Sequence, residues 1–460
     1  MKEFIKNNKT FIIFISIISV VYFSSLFIHH DIWWDSAVFL GMGKYLWSLG
    51  NVGLWEASRP IIWPLLLGFF WKLNLNPIIF GQITAILFSI GTIALTYLIA
   101  VNIFNKKTAL ISSLFLSLFP TYFLFANILH TEIPSAFFTL VGIYFFIKKK
   151  HNLAGLLLGI AVMTRFFQIF LIIPIFLVLF YSFYRKKVSM QKSALFPLFF
   201  LLPIIPYLIL NYLLYNNPLH PFLLQIFMTQ NTGFVFNESF SFYFINLFKE
   251  NILILFALVG LFTILKKPSK NSMLLSLIFL FGFIPYNIIA HKEMRLLIPI
   301  FPFIAILMSH GIFYFADSVK KYKVILLSLL SIIFIIQAMP QLKFNAYEDN
   351  LDDFYDYIKK TGTNPRLWIS NPAFIVFSDA KADELVYYPA YNSDKIDDLM
   401  LNVDNADTIL LNTCDLLPCP PNDSNCDKKS SDFIDNLKER FITSSYSKNR
   451  DCEYYIFTFG

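Results

Sequence analysis

The sequence predicts an α-helical polytopic membrane protein of about eleven transmembrane helices, followed by a small C-terminal α/β domain outside the bilayer. Three observations predict it. Of 460 residues, 57% are hydrophobic and only 15% charged, whereas a soluble domain carries charge at about a quarter of its positions. The apolar residues form long runs across 11–340 broken by short polar loops, while 341–460 has soluble composition. The net charge of +7 hides an opposition: 1–340 holds 25 Lys/Arg against 9 Asp/Glu, and 341–460 holds 12 against 21. In hydrocarbon, backbone polar groups must be satisfied within the segment, so helices of roughly 20 residues are the spanning unit.

Taken in order, the spans fall at 11–28, 78–102, 108–129 and 133–147, then a hairpin over 152–184 turning near Arg165. They continue at 194–214, 251–265, 272–289, 296–315 and 324–339. This threading puts the clusters Lys2/Lys6/Lys9, Lys106/Lys107, Lys148 to Lys150, Arg185/Lys186/Lys187/Lys192, Lys266/Lys267/Lys270 and Lys320/Lys321/Lys323 on one side. The positive-inside rule makes that side cytoplasmic. The N-terminus is then cytoplasmic, the tail from 341 extracytoplasmic, and the chain a multi-pass protein of the cell membrane. The first apolar run reads as a span and not a cleaved signal, because His29-His30-Asp31 offers no small-residue cleavage site. Two outer loops are long, 29–77 and 215–250. In the first, Val38, Met42, Tyr45, Leu46 and Leu49 recur at helical spacing, which predicts an amphipathic helix lying in the membrane interface.

The domain at 341–460 alternates short patterns: a helix over 351–360, strands at 366–369 and 385–388, a helix at 395–401, a strand at 408–411, a helix at 432–441 and a strand at 453–457. That alternation predicts a small α/β unit. All four cysteines, Cys414, Cys419, Cys426 and Cys452, lie in it. An external compartment favours disulfides, with three possible connectivities and one short-range bridge among Cys414, Cys419 and Cys426. Zinc is the alternative, but the spacing lacks a CxxC pair and no histidine lies beyond His310.

Seven of the nine acidic residues before 341, and five of the seven histidines, map to the outer side. Cations sit among them against the topological bias: Arg59 before Pro60, Arg165 at the hairpin tip, and Lys292 and Arg295 in the turn His291-Lys292-Glu293-Met294-Arg295. Ionisable groups at membrane depth are costly and mark function. Cations facing carboxylates beside a bilayer suit a lipid-linked phosphate, and so group transfer from a phosphorylated lipid. No nucleic-acid partner is expected.

These residues also carry a resemblance. Trp34-Asp35 in the first outer loop, Arg59-Pro60-Ile61-Ile62-Trp63-Pro64, His130-Thr131-Glu132-Ile133-Pro134 and Met163-Thr164-Arg165 resemble, in order and in side of the membrane, the GT-C superfamily. Its members of the protein O-mannosyltransferase and aminoarabinose-transferase kind use polyprenyl-phosphate sugars. The turn His291-Lys292-Glu293-Met294-Arg295-Leu296 is similar to the HKExRF motif of the lipid-linked-oligosaccharide and GPI mannosyltransferases. The resemblance spans 11 to about 340. One departure is Ser36, where the family often has a second acidic residue beside the first-loop aspartate.

The resemblance implies a hexosyltransferase, mannosyltransferase-like, that moves a mannose-like or glucose-like sugar from a polyprenyl or dolichyl phosphate to a hydroxyl on a glycan, lipid or protein. It implies Asp35 as catalytic base, with Glu132 the second candidate, and Arg59, Arg165, Lys292 and Arg295 as ligands of the donor phosphate. Each has a plainer reading: Asp35 as a helix N-cap, Glu132 as a complement to a helix dipole, Arg165 snorkelling, and Lys292 and Arg295 solvated beside Glu293. His29, His30, Asp31 and His130 could gather a divalent metal ion; otherwise they are solvated interfacial residues. The rivals are an oligosaccharyltransferase or polymer ligase using a lipid pyrophosphate, and a transporter. The transporter reading is weakened because the charges gather at one face instead of the midplane and no inverted repeat is visible.

Overall fold

The computed structural model describes residues 8–28, 32–186, 190–230, 236–342, 354, 356, 366–386, 393–415, 424–449 and 452–459. The apolar runs become helices, and local chemistry sets their ends. The first, α1 (Lys9–Ser24), is followed in the first loop by α2 (Trp34–Trp47) and α3 (Ile62–Lys72). The long α4 (Pro77–Ile103) starts where the Asn76 side chain accepts from the N–H groups of Ile78 and Ile79, satisfying donors the helix cannot. Next come α5 (Lys106–Leu118) and α6 (Pro120–Leu124), two pieces of one predicted span broken where Pro120 cannot donate to the ladder. They are followed by α7 (Glu132–Ile147), α8 (His151–Thr164), α9 (Ile169–Tyr184), α10 (Met190–Leu201), α11 (Ile205–Tyr215), α12 (His220–Gln230) and α13 (Phe242–Glu250). The helical part closes with α14 (Phe256–Lys266), α15 (Lys270–Ile288), α16 (Phe301–Ser318) and α17 (Lys323–Ala338).

Every predicted span is helical over most of its length, but the helices are not equal. Among the described residues, six helical segments are long and apolar enough to cross a bilayer. A seventh is available if α10 and α11, bent by 42°, form one broken span. The other four predicted segments are shorter or interrupted, so length alone supports six or seven crossings where the sequence reading gave eleven. Close packing replaces length in places. A Cβ on Gly260 of α14 would stand 2.0 Å from the Leu307 carbonyl of α16, and one on Gly311 of α16 would stand 2.0 Å from the Phe256 carbonyl of α14. Small residues let these two backbones touch, as in membrane helix pairs generally.

The C-terminal domain is one five-stranded sheet in the order β2-β1-β3-β5-β4. Its strands are β1 (Leu367–Ile369), β2 (Ala382–Leu385), β3 (Thr408–Asn412), β4 (Ile442–Asn449) and β5 (Cys452–Thr458). β1 lies parallel to both β2 and β3, while β5 runs antiparallel to β3 and β4. Helices α18 (Ala373–Phe377), α19 (Ser393–Asn402) and α20 (Ser424–Arg440) complete it. The strand at β4 escapes the sequence reading because ITSSYSKN is nearly all polar, which an edge strand tolerates. The strand expected at 385–388 is centred three residues earlier, and the helix expected at 351–360 falls almost wholly outside the described residues.

The helix expected in the first loop forms, and protein covers it. Residues 36–44 of α2 are all buried, including Val38 and Met42, because α2 is covered on one side by α3 and on another by the C-terminal domain. Ala37, Val38, Phe39, Leu40 and Met42 share one core with Leu367, Ile369, Phe374 and Ile375. The contact is also polar. Buried Lys44 donates to the carbonyls of Ile375 (3.0 Å), Val376 (2.9 Å) and Ser378 (2.9 Å) and to Asp379 Oδ1 (3.1 Å). The lysine thus caps the carboxyl end of α18, where unpaired carbonyls attract a cation. Backbone pairing adds to it, with Gly53 N–H donating to Ala380 O and Ala382 N–H to Gly53 O.

Candidate functional site

Asp35 lies in the first turn of α2, and no side chain caps that helix. Its carboxylate is therefore not spent on the backbone, contrary to the plainer N-cap reading. Two arginines take it instead: Arg59 NH2 lies 2.8 Å from Oδ1 and Arg295 NH1 2.5 Å from Oδ2. Each arginine keeps a second carboxylate. Arg59 Nε is 3.2 Å from Glu56 Oε2, and its guanidinium sits over the Phe39 ring. Arg295 grips Glu293 with two N–H groups, Nε to Oε2 at 2.9 Å and NH2 to Oε1 at 2.7 Å. Arg295 NH1 also lies 3.0 Å from His130 Nδ1. Arginine only donates, so Nδ1 is the accepting nitrogen of that ring.

Beside this group, Glu132 opens α7, and Arg165 NH1 is 2.9 Å from its Oε1. The same nitrogen donates to Thr131 Oγ1 at 3.1 Å. Arg165 reaches there because α8 ends on it in extended backbone, φ −157°, before a 3-10 turn leads into α9. The predicted hairpin tip is thus a break in helix that aims a guanidinium. The 291–295 turn works similarly: Glu293 is extended and starts the 3-10 segment Met294–Ile300.

The charges set one another. Burial raises the Asp35 carboxyl, but Arg59 and Arg295 outweigh it and hold Asp35 well below the usual carboxylate range. Burial also raises Glu293, and Arg295 with His291 overrides it, leaving Glu293 at about 2. His130 is pushed down to about 4 by burial and by the Arg295 charge, against the pull of Glu132 and Asp35. At neutral pH Asp35 and Glu293 are ionised and His130 is neutral.

All these groups face one cavity of about 750 Å³. Five carboxylates, Asp35, Glu56, Glu132, Glu293 and Asp415, line it with the three arginines. The remaining wall is largely aromatic and apolar, from Trp33, Trp34, Phe166 and Phe167 to Leu224, Phe227 and Met228 of α12. The structure thus brings together Asp35, Arg59, His130, Glu132, Arg165 and Arg295 from five separate stretches of sequence.

Lys292 stands apart, which corrects its expected place among the phosphate ligands. Its ammonium is buried and donates to the carbonyls of Glu238 (2.8 Å) and Ile289 (2.6 Å), and it does not line the cavity. It staples the second long loop to the 291–295 turn, alongside the Lys292 N–H to Phe236 O bond at 3.1 Å. His29, His30 and Asp31 lie outside the described residues. Among the described residues no three His, Cys, Asp or Glu side chains are arranged to hold a metal. His130 is poorly placed for one, since a divalent ion on Nδ1 would meet the Arg295 guanidinium at short range. Cys414 and Cys452 form a disulfide across 38 residues; Cys419 and the side chain of Cys426 lie outside the described residues. Glu56 and Asp415 carried no signal in the sequence beyond their charge. Tyr286, which hydrogen-bonds Arg165 from α15, was hidden in an apolar run.

Comparison with known proteins shows a likeness in one stretch of sequence and in fold. Residues 58–210 match the family model of dolichyl-phosphate-mannose-protein mannosyltransferases. No curated protein matches the chain. Among solved structures, the chain is similar to ArnT from Cupriavidus metallidurans bound to undecaprenyl phosphate, with a TM-score of 0.66, 11% identity and 98% of each chain covered. It is also similar to the Archaeoglobus fulgidus oligosaccharyltransferase in a complex with zinc and sulfate, with a TM-score of 0.60 and 12% identity over 86% of this chain and 67% of that one. The oligosaccharyltransferase AglB from Archaeoglobus fulgidus, in complex with an inhibitory peptide and a dolichol-phosphate, gives a TM-score of 0.61 and 10% identity over 98% of this chain and 74% of that one. The chain thus carries a mannosyltransferase-like stretch over 58–210 and, along its whole length, shares the fold of ArnT and AglB.

Proposed function

We propose that the chain transfers a hexose, mannose-like or glucose-like, from a polyprenyl or dolichyl phosphate to an acceptor hydroxyl at the extracytoplasmic face. The observation that carries this reading is Asp35 clamped between Arg59 and Arg295 inside a large aromatic-walled cavity. One carboxylate and two cations share a space big enough for a sugar phosphate. The undecaprenyl phosphate bound to ArnT and the dolichol-phosphate bound to AglB support a lipid-phosphate donor here.

The chemistry follows from charge. A sugar linked through a phosphodiester carries one negative charge, and its leaving group is already good, so no general acid is required. Asp35 takes the proton of the acceptor hydroxyl as its oxygen bonds to the anomeric carbon. The bond from that carbon to the phosphate oxygen breaks, and the electron pair leaves on the polyprenyl phosphate, which becomes a dianion. Configuration inverts. Arg295 and Arg59 meet the new charge, an interaction stronger in the transition state than before it, and so one that accelerates the step. Arg165 and Glu132 brace the neighbouring wall. Since the arginines that receive the phosphate are those that neutralise Asp35, donor binding draws them off the carboxylate and restores its basicity.

The test is transfer by the purified chain from radiolabelled polyprenyl-phosphate mannose, polyprenyl-phosphate glucose and a lipid-pyrophosphate sugar. Label leaving one of the monophosphates supports the reading. Label leaving only the pyrophosphate, or none at all, overturns it.

A further inference from the structure

Beside the Asp35 clamp, two buried polar atoms have no hydrogen-bond partner among the described residues: His130 Nε2 and Glu132 Oε2. A native fold leaves few such atoms, and each one calls for a cause. His130 is 3% exposed and Glu132 2%, and both residues line the cavity. The transfer step above uses neither atom.

The two atoms complement each other. Arg295 NH1 donates to His130 Nδ1 at 3.0 Å, and a ring that accepts there carries its proton on Nε2, which is thus a fixed donor. Glu132 gives Oε1 to Arg165 at 2.9 Å, which leaves Oε2 as a fixed acceptor. Oε2 stands 3.9 Å from Nδ1 of the same imidazole, so donor and acceptor are neighbours. Aromatic rings hold the imidazole in place, Trp33 edge-on at 5.6 Å and Phe125 at 5.5 Å. A sugar hydroxyl both accepts and donates, and so satisfies the pair at once. Which hydroxyl it is follows from Arg295. That arginine meets the donor phosphate and holds the imidazole with its NH1, so the hydroxyl delivered to this ring is the one nearest the phosphate, on the carbon next to the anomeric centre.

We infer that His130 and Glu132 read the 2-hydroxyl of the donor sugar, with His130 Nε2–H donating to it and Glu132 Oε2 accepting from it. The transferred sugar then carries a free 2-hydroxyl. A 2-acetamido sugar is disfavoured, because its amide nitrogen donates but does not accept from Nε2–H. Mannose and glucose differ only in the configuration of this carbon, so the same two residues choose between them. This inference rests on the glycosyltransferase reading and names the feature of the sugar that the site selects.

The experiment measures binding, which needs no acceptor. The full chain in lipid nanodiscs is loaded with radiolabelled undecaprenyl phosphate and titrated with unlabelled polyprenyl-phosphate mannose, glucose and 2-deoxyglucose, with unlabelled undecaprenyl phosphate as the sugar-free control. Wild type should bind mannose and glucose unequally, and the better of the two about tenfold or more tighter than 2-deoxyglucose, as loss of a hydrogen bond to a charged group predicts. His130→Phe keeps a ring of similar shape but has no N–H. It should bind all three sugars alike while its affinity for undecaprenyl phosphate stays unchanged. His130→Gln, which carries an N–H on a side chain of similar reach, should recover part of the discrimination. Glu132→Gln, which keeps the size of the side chain and an oxygen for Arg165, should lose most of it. Equal binding of the three sugars by wild type overturns the inference, as does wild-type discrimination in His130→Phe, which would assign the N–H to the face of Trp33. Should His130→Phe lose undecaprenyl phosphate as well, Glu132→Gln decides, and undiminished discrimination there overturns the inference. A wild-type chain that binds no polyprenyl phosphate at all sinks the glycosyltransferase reading instead.

Discussion

Replacing Asp35 by Asn separates the base from the clamp around it, because the two roles predict effects of opposite sign. Transfer should fall by two to four orders of magnitude, on the order of what a general base contributes. Binding of the dianionic product should rise. A like charge about 4 Å from the phosphate costs about 1 kcal/mol in a water-like dielectric and about 4 kcal/mol at an effective value of 20. Even the lower figure tightens undecaprenyl phosphate by about fivefold. The fold should survive, since Arg59 keeps Glu56 and Arg295 keeps both oxygens of Glu293, so neither cation is left alone. Trp33 and Trp34 line the cavity, and quenching of their fluorescence on titration with undecaprenyl phosphate reports the affinity directly. Transfer within tenfold of wild type would remove Asp35 as the base. Weaker binding of undecaprenyl phosphate would show that the carboxylate arranges the arginines instead of competing for them.

Lys44→Met keeps the bulk of the side chain but strands buried carbonyls of α18, at a cost of about 3 kcal/mol or more; faster limited proteolysis of the C-terminal domain measures it, and an unchanged digestion pattern refutes it. Opening Cys414–Cys452 by double serine substitution should destabilise that domain by about 4 kcal/mol for a loop of this length, read as a lowered Tm. Peptide mapping of unreduced protein should recover Cys414 joined to Cys452 and leave Cys419 and Cys426 for each other; Cys414 joined to Cys419 contradicts the structure. In pH profiles, kcat/KM for donor should stay level on the acid side down to below pH 5, because Asp35 is held ionised; a limb near 6.5 would point to a histidine base. Stability has its own window. His130 and Glu293 both titrate lower folded than unfolded, so the unfolded chain takes up protons first. Their contribution is complete above pH 6.5, falls as His130 is traversed towards about 4, and falls further between 4.5 and about 2 as Glu293 is lost.

Much of the helical part was legible because a bilayer leaves few options. Apolar runs flanked by lysines could only be helices, and charge sorted the polar loops into two sets. That bookkeeping also gathered Asp35, Arg59, His130, Glu132, Arg165 and Arg295 on one face, where the fold then joined them. The number of crossings was not legible, since α7, α8 and α14 are too short to be told from helices packed inside a bundle. Nor was the burial of α2. Its spacing of apolar residues describes one greasy face, and nothing in the spacing says whether lipid or protein covers it. Lys292 shows the same gap at the level of one side chain. Its place in the motif is visible, but whether its ammonium turns towards a cavity or towards two carbonyls depends on a loop some fifty residues earlier.

The lysine that joins α2 to the C-terminal domain also fixes when the protein becomes competent. Lys44 bonds a carbonyl 331 residues further along the chain, and synthesis at about 5–20 residues per second puts roughly 20 to 60 seconds between the two. Throughout that interval the helix bearing Asp35 stands without the surface that buries it. A half-made chain thus exposes an apolar helix and an unpaired lysine, a natural handle for chaperones and quality-control proteases. The cavity is complete only when the last strands are in place, so a truncated product cannot hold its first and last walls together.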